Sequence, residues 1–462
     1  MASLFPPLKK SFLRLALFNI VLLFSLALIP EGQGADSAAG KLAVTPPMGW
    51  NSYDAYGDSV TEAEMLANAA IMKEKLLQHG WNYLVVDYRW YDPEAHDNNS
   101  KKNAELTMDG NGRLLPSPNR FPSAADGNGF KALADKVHAM GFKFGIHIMR
   151  GIPRMAVKKN LPIEGSDLHA WDATSFSTCR WCYDMLGVDG QSAAGQAWYD
   201  SLFRLYASWG LDFVKADDLS RPYSDFEVAA IRKAIDRCGR PIVFSTSPGE
   251  TPIEKTDHLM KNANMWRVSD DFWDDWKSLD YAFDLAERWQ AVGGPGHWPD
   301  ADMIPFGKLS LGHRSHGEEH LCKLNHEEQQ TLMTLWCLMP SPLILGGSLA
   351  DYPADTLDLI TNDEALAVNQ DSLGAKGKLI SKKTNTEIWA KELGDGSKAV
   401  GLFNRGEHPR VATLNMKDLG ILGSVKVRDL WSRKDLTTVK NKYSCTLPPH
   451  GSRLLKIQAE HQ

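Results

Sequence analysis

One unit recurs along most of the chain: an amphipathic helix, a glycine, and a short apolar strand that ends in polar residues. In the first copy, apolar residues return every three or four positions, at Met65, Ala69, Met72 and Leu76. This spacing places them on one helical face. Gly80 then ends the helix, and the strand "YLVVDYRW" follows. Helices that alternate with apolar strands predict a parallel sheet.

Further copies of the unit end in the strands "FKFGIHIM", "LDFVKADDLS" and "RPIVFSTSPG". Four other segments also read as strands: "TPPMGWNS", "NANMWRVSDD", "GHWPDADM" and "SPLILGG". Eight β/α units within residues 41–371 fit a (β/α)₈ TIM barrel. A doubly wound open sheet is the alternative, which the absence of a glycine-rich phosphate loop after these strands disfavours. The first helix is expected to start with a capping box of Ser59 and Glu62 in "SVTE".

The sequence pattern changes after residue 371. The segment "TEIWAKELGDGSKAVGLFNRG" alternates apolar and polar residues on both sides of a Gly-Asp-Gly turn, which predicts a hairpin. Strand-like runs follow near Val411, Val425 and Leu454. We therefore predict a small antiparallel β-sandwich domain over residues 372–462.

The N-terminus has the pattern of a secretory signal. Lys9, Lys10 and Arg14 precede the apolar run "LALFNIVLLFSLALI", and small residues follow in "EGQGADS". We expect a signal peptide over residues 1–34 and a secreted, periplasmic or extracellular protein; an uncleaved membrane anchor is the alternative. In such a compartment the six cysteines are candidates for disulfide bonds. Cys179 and Cys182, in "STCRWCYD", are expected as a local disulfide or as two free thiols.

The charge balance bears on partners. The chain has 51 basic and 57 acidic side chains, a net charge of -6, which gives no electrostatic support for binding nucleic acid. No segment beyond the signal looks membrane-spanning. A homodimer is compatible with the sequence.

Polar residues at the strand ends mark the expected active site, because the sites of β/α barrels lie at the C-terminal ends of the strands. Side chains alternate along a strand, so Lys215 and Asp217 should face the same way and Asp218 the other way. By the same argument, Arg267 should face the same side as Ser269 and Asp271. Ser245 should likewise share a side with Ser247, and Asp300 with Asp302. Asp87 and His147 end two further strands, and Trp50 and Trp90 are expected near the rim. Taken alone, His147 would favour a core histidine with its hydrogen bonds satisfied, and Trp50 would favour a packing role.

Several carboxylates in one active-site pocket have two main uses. One is glycoside hydrolysis, in which one carboxylate is the nucleophile and a second carboxyl group is the acid/base. The other is binding of a divalent metal, but no His-x-His stands at a strand end, so we expect no metal. A structural alternative is that an aspartate at a strand end only caps the next helix. That alternative applies least to Asp217, because the lysine two residues before it has no capping role.

The segments "PPMGWNSYD", "LVVDYRW", "FKFGIHI", "FVKADD", "WRVSDD", "WPDADM" and "SPLILGG" resemble family 27 of the glycoside hydrolases. This family contains α-galactosidases (melibiases) and α-N-acetylgalactosaminidases. The resemblance runs from about residue 44 to the end of the chain. It extends in particular to the branch with plant-type β-L-arabinopyranosidase/α-galactosidase enzymes, in which a strand also ends in Asp-Tyr-x-Trp.

The resemblance implies a (β/α)₈ barrel with a C-terminal β-sandwich, no cofactor, and a carbohydrate substrate. The implied reaction is retaining removal of terminal α-D-galactosyl residues, with Asp217 as nucleophile and Asp271 as acid/base. The positions implied to bind the sugar are Trp50, Asp87, Tyr88, His147, Lys215, Ser247, Arg267 and Asp302. A non-catalytic sugar-binding barrel is the rival from another functional class.

The chain departs from the family pattern in three places. Tyr88 replaces the second of two adjacent aspartates that hold the hydroxyls at C4 and C6. It either closes the C6 space, which favours β-L-arabinopyranose, or replaces one hydrogen bond. The usual cysteine after the nucleophile is absent, with Asp218 and Leu219 in its place. Asp270 replaces a glycine, which makes Asp270 a competitor for the acid/base role.

Overall fold

The computed structural model describes residues 42–312, 317–350, 352–436 and 438–459. The predicted signal segment, residues 1–34, lies outside them. Within the described ranges, no helix has both the length and the apolar character needed to span a membrane.

Eight short parallel strands form one curved sheet, and each comes from one of the eight predicted segments. They are β1 (Met48–Asn51), β2 (Tyr83–Val86), β3 (Lys143–Met149), β4 (Phe213–Asp217), β5 (Val243–Thr246), β6 (Met265–Arg267), β7 (Trp298–Asp300) and β8 (Leu343–Leu345). The order in the sheet is β8-β1-β2-β3-β4-β5-β6-β7. A parallel bridge between Ile304, which follows β7, and Leu345 joins the two edges. The predicted (β/α)₈ barrel is confirmed.

Strand alternation divides the barrel interior into two levels. Large apolar side chains form a separate cluster at the N-terminal ends of the strands: Tyr83, Val85, Phe213, Val243, Met265 and Trp298. The next residues of the same alternation are polar, and they include Asp87, Lys215 and Arg267. The interior therefore has an apolar floor and a charged upper level.

Helices surround the sheet. They are α1 (Tyr53–Tyr56), α2 (Glu62–Lys75), α3 (Lys131–Ala139), α4 (Arg154–Lys158), α5 (Ala170–Ala173), α6 (Ala193–Trp209), α7 (Asp225–Arg237), α8 (Thr256–Asn262), α9 (Trp276–Trp289), α10 (His326–Leu338), α11 (Ala354–Ile360) and α12 (Asp363–Asn369). The predicted capping box of Ser59 and Glu62 is wrong. Thr61 and Glu64 form the box at α2, and the Glu62 carboxylate instead accepts hydrogen bonds from Lys136 and from the Ser123 N–H.

The glycines expected at the helix ends have left-handed backbone conformations. Gly141, Gly210 and Gly239 have φ of 97°, 86° and 79°. Gly80, with φ of 91°, caps the 3-10 turn Leu77–His79 that follows α2. An L-residue with a side chain is strained in this conformation, so glycine lets the chain turn sharply into the next strand.

The C-terminal part is the predicted antiparallel β-sandwich. Its strands are β9 (Lys378–Lys383), β10 (Thr386–Glu392), β11 (Lys398–Asn404), β12 (Arg410–Asn415), β13 (Val425–Asp429), β14 (Lys442–Leu447) and β15 (Ser452–Ala459). One sheet has the order β9-β10-β11-β15-β13, extended by the two-residue strand Lys434–Asp435, and the other pairs β12 with β14. The predicted hairpin is β10–β11. The predicted boundary at residues 371 and 372 falls between α12 and β9.

The sandwich packs on the barrel through buried contacts with α10 and α12. The Thr331 hydroxyl donates to the His450 carbonyl at 2.6 Å, and the Trp431 indole donates to the Thr334 hydroxyl at 2.9 Å. Nζ of Lys391 donates to the Val368 carbonyl at 2.7 Å. Trp389, Phe403, Trp431 and Leu454 belong to the same apolar cluster as the barrel core.

All six cysteines carry free thiols. The structure therefore gives no support to the expected disulfide bonds. Cys179 and Cys182 are both buried.

Candidate active site

A pocket of about 320 Å³ opens at the C-terminal ends of the barrel strands. Eight of the ten predicted site residues line it: Asp87, Tyr88, Lys215, Asp217, Ser247, Arg267, Asp271 and Asp302. They come from β2, β4, β5, β6 and β7 or the turns that follow these strands. The polar strand ends thus converge, as strand alternation predicts.

Both carboxylate oxygens of Asp217 are held by hydrogen bonds. His147, on the neighbouring strand β3, has Nε2 2.9 Å from Oδ2. The Ser247 hydroxyl donates to Oδ1 at 3.2 Å, and the backbone N–H of Asp218 donates to Oδ1 at 2.9 Å. His147 does not line the pocket; it is buried behind Asp217 and orients the carboxylate. These contacts fix the plane of the carboxylate toward the cavity.

Asp218 faces away from the pocket centre, as predicted. Its backbone has φ of 63°, which turns the chain after β4. The carboxylate accepts from Nε of Arg150 at 2.9 Å. Burial raises the pKa of Asp218 to about 6, against the opposing effect of Arg150. The residue after Asp217 therefore acts as a structural anchor.

Lys215 pairs with Asp87 rather than with Asp217. Nζ of Lys215 lies 3.1 Å from Oδ2 of Asp87, which also accepts from Nδ2 of Asn51 at 2.6 Å. Burial alone would raise the pKa of Asp87, but the charges of Lys215 and His147 outweigh it and lower the pKa to about 2. Burial would likewise lower the pKa of Lys215, but Asp87 and Asp217 raise it above the usual value. The pair places one anion and one cation in the cavity wall.

Arg267 connects two further carboxylates. Its Nη2 donates to Oδ1 of Asp271 at 3.1 Å, and its Nη1 lies 2.8 Å from Oδ1 of Asp302. The Asp271 side chain is 55% exposed, whereas Asp302 and Arg267 are buried. Burial and repulsion from Asp271 raise the pKa of Asp302 to about 6, although Arg267 opposes the shift. Asp271 alone in this triad reaches both the pocket and open solvent.

Asp270 is held apart from Asp271 by a different partner. Arg221 donates to both of its carboxylate oxygens, at 3.2 and 2.5 Å, on the outer rim. The Asp270 side chain also lines the pocket and is 62% exposed. This bidentate pair occupies the carboxylate, so the geometry favours Asp271 as acid/base over Asp270.

Tyr88 presents its ring, not its hydroxyl, to the pocket. The hydroxyl is buried beside the Cys182 thiol and has no hydrogen-bond partner of normal geometry. The ring packs edge-on against Tyr53 at 6.2 Å and His147 at 5.5 Å between centroids. Tyr88 therefore fills space beside Asp87 without offering the hydrogen bond of an aspartate.

The expectation that Trp50 and Trp90 lie near the rim is wrong. Both side chains are fully buried. The Trp50 indole donates to the Gly347 carbonyl at 2.8 Å, and the Trp90 indole donates to the His147 carbonyl at 2.7 Å. Tyr53, three residues after Trp50, lines the pocket instead.

The pocket has further lining residues that the sequence did not single out: Tyr53, Asp54, Asn98, Trp181, Arg221, Pro248, Phe272, Trp273 and Met303. Tyr53 and Asp54 follow a strand end, and that position could have identified them. Asp54 is buried, and its Oδ2 has no hydrogen-bond partner. Burial and the nearby Asp302 raise its pKa well above the ordinary value. Gly346 permits this packing, because a Cβ there would lie 1.8 Å from Oδ2 of Asp54.

Comparison with known proteins identifies the family. A family model described as "Alpha galactosidase A" matches residues 45–198 and 193–371, and one described as "Alpha galactosidase C-terminal beta sandwich domain" matches residues 383–457. The chain belongs to the melibiase family. The predicted resemblance is confirmed, and the protein is a glycoside hydrolase.

Several relatives of this melibiase-family hydrolase match over nearly the whole chain. Alpha-galactosidase 2 of Arabidopsis thaliana is 29% identical, with 90% of each chain covered. The alpha-galactosidase of Cyamopsis tetragonoloba is 30% identical, with 90% of this chain and 87% of the relative covered. The crystal structure of a family 27 β-L-arabinopyranosidase from Geobacillus stearothermophilus is 46% identical, with a TM-score of 0.89 over 92% of this chain and 98% of that chain.

Proposed function

We propose that the protein is a retaining exo-glycosidase that removes terminal α-D-galactosyl residues from oligosaccharides or glycoconjugates. The observation that carries the proposal is the pairing of two different carboxylates across one pocket. Asp217 is 8% exposed and fixed by three hydrogen-bond donors, as a nucleophile should be. Asp271 is 55% exposed in its side chain, as a group that meets the leaving oxygen and then water should be.

The reaction proceeds in two steps. In the first, Asp217 attacks the anomeric carbon, the glycosidic C–O bond breaks, and Asp271 gives its proton to the leaving oxygen. In the second, Asp271 takes a proton from water, whose oxygen attacks the anomeric carbon and releases Asp217. Two inversions at the same carbon retain the anomeric configuration.

The rest of the pocket suits a single terminal sugar. Asp87, Lys215 and Asp302 present charged groups that can hydrogen-bond sugar hydroxyls. The apolar cluster around Phe213 and Trp298 closes the barrel below them. A pocket closed at its base accepts the end of a chain rather than its middle.

A second candidate activity is β-L-arabinopyranosidase, and Tyr88 favours it. α-D-Galactopyranose and β-L-arabinopyranose share the same ring stereochemistry and differ by the hydroxymethyl group at C6. The Tyr88 ring fills space next to Asp87, and its buried hydroxyl offers no bond to a C6 hydroxyl. The 46% identity to the Geobacillus stearothermophilus β-L-arabinopyranosidase supports the same candidate.

Release of nitrophenol from a panel of substrates tests the proposal. The panel contains the α-D-galactopyranoside, the β-L-arabinopyranoside and the α-N-acetylgalactosaminide, with Asp217→Asn as the inactive control. We expect cleavage of at least one of the first two, loss of activity in the variant, and no effect of a chelator. Sugar binding without turnover would instead support the non-catalytic barrel, and full activity of Asp217→Asn would show that Asp217 is not the nucleophile.

We also propose that the chain is exported after removal of residues 1–34. The basic start and the apolar run that follows support this proposal. Cell fractionation followed by N-terminal sequencing tests it, and an intact Met1 on a cytoplasmic product would contradict it.

A further inference from the structure

Trp181 is an exposed indole on the rim of a charged pocket. Its side chain lines the cavity, and the residue is 40% exposed. It packs against the Tyr88 ring with 5.7 Å between centroids and 57° between planes. An aromatic side chain left open to solvent beside a binding pocket is a common feature of ligand contact surfaces.

The loop around Trp181 is anchored on both sides. The Cys179 thiol faces the backbone N–H of Trp181 and the Asp218 carboxylate, and Cys182 is buried against Tyr88. The backbone of Tyr183 accepts from Nε of Arg154 at 2.6 Å and donates to the Ser100 hydroxyl at 3.1 Å. The indole is thus exposed but held in place, which lowers the entropy cost of binding a ligand on it.

The position of Trp181 favours contact with the leaving group over contact with the terminal sugar. The terminal sugar is held by the buried groups of the pocket, which include Asp87 and Lys215. Trp181 is exposed, as are Asp271 and the Arg221–Asp270 ion pair. The bond to be cleaved must lie next to Asp271. The leaving group therefore occupies the solvent-exposed part of the pocket, which Trp181 helps to line.

We propose that Trp181 is a specificity-determining residue on which the ring of the leaving group stacks. The inference rests on the proposed glycosidase function and adds the recognition of the second unit of the substrate. A pyranose or aryl ring offers a flat apolar face, and an indole is a suitable surface for it. Trp181 thereby selects substrates whose leaving group carries a ring.

The test compares two substrates with the same terminal sugar, chosen as the one that the wild-type enzyme cleaves. One is the glycosyl fluoride, whose leaving group is a single atom; the other is a disaccharide with a pyranose leaving group. We expect Trp181→Ala to lower the ratio of kcat/KM for the disaccharide to kcat/KM for the fluoride roughly tenfold. Trp181→Phe should recover part of the ratio.

Trp171→Ala is the matched control. Trp171 lies ten residues earlier, is 56% exposed and packs on Phe176, but it does not line the pocket. Its variant should leave the ratio unchanged. An unchanged ratio in Trp181→Ala, or an equal loss on both substrates, would overturn the inference. If the wild type cleaves none of the nitrophenyl glycosides of the panel, the proposed function fails, and the inference fails with it.

Discussion

Nε2 of His147 and Oδ2 of Asp217 lie 2.9 Å apart, joining the third and fourth strands of the barrel at their C-terminal ends. Nδ1 of His147 is buried and has no hydrogen-bond partner. The imidazole therefore engages the nucleophile through one nitrogen, and its task is to orient that carboxylate.

His147→Phe should lower kcat about 10- to 100-fold with a smaller change in KM, because a buried hydrogen bond to the reacting carboxylate is lost. Steady-state kinetics on the preferred nitrophenyl glycoside measures the effect. His138→Phe is the control, since His138 also pairs with an aspartate, Asp212, at 2.7 Å but lies away from the pocket. Equal losses in the two variants would show that His147 has only a stabilising role.

Asp271→Asn and Asp270→Asn should differ sharply. We expect the first to lose about 10²- to 10⁴-fold in kcat/KM on a poor leaving group, because the acid/base is removed. The second should change kcat/KM less than about threefold, because it breaks an exposed ion pair with Arg221 at the rim of the pocket. The loss in Asp271→Asn should shrink with dinitrophenol, which needs little protonation to leave. The opposite order of effects would assign the acid/base role to Asp270.

Tyr88→Ala should shift specificity toward the α-D-galactoside, because it opens space where a C6 hydroxymethyl group would lie. The ratio of kcat/KM for the α-D-galactoside to that for the β-L-arabinopyranoside should rise about 10- to 200-fold. Parallel assays of the two nitrophenyl glycosides measure it. A ratio that stays constant would mean that Tyr88 does not border the C6 position.

The buried side chain of Lys376 should make the free energy of unfolding depend on pH. Its Nζ is buried without a hydrogen-bond partner, 4.7 Å from the centroid of the Trp298 ring. Burial, with the nearby charge of Lys391, lowers the pKa of Lys376 to about 7. Between that value and the ordinary pKa of lysine, the unfolded chain holds a proton that the folded protein lacks, so this residue favours folding more as the pH rises.

Lys376→Met should therefore raise the thermal midpoint by about 5 °C at pH 6, where the wild type must bury the ammonium group. The advantage should decline as the pH rises toward 10. Calorimetry at several pH values measures it, with Lys383→Met, an exposed lysine on β9, as the control. An advantage that is independent of pH would show that improved packing, not the charge, is responsible.

Strand alternation accounts for most of the site that the sequence predicted. In β4 it correctly places Lys215 and Asp217 on the same side. In β1 it directs Asn51 into the barrel, where it bonds to Asp87, and directs Trp50 outward into the core. Trp50 is therefore absent from the pocket lining, contrary to the expectation that it lies near the rim.

The residues missed by sequence analysis lie mostly in loops. Trp181 and Arg221 follow no helical or strand period, so their approach to the pocket depends on long-range contacts such as Arg221 with Asp270. The sequence offers two possible capping boxes, Ser59 with Glu62 and Thr61 with Glu64. It does not show which one forms, because the Glu62 carboxylate binds Lys136, a partner distant in sequence.

The junction between barrel and sandwich limits where this protein can be truncated or have its domains exchanged. The two family models suggest interchangeable modules, with a gap at residues 372–382. Yet Trp431 donates to Thr334 on α10, and Lys391 reaches the carbonyl of Val368 at the end of α12. A truncation in that gap would expose an apolar face of α10 to solvent and remove these hydrogen bonds between the two parts. The C-terminal sandwich is thus part of the folded unit that carries the active site. Engineered deletions or domain exchanges should keep it and should be made in surface loops elsewhere.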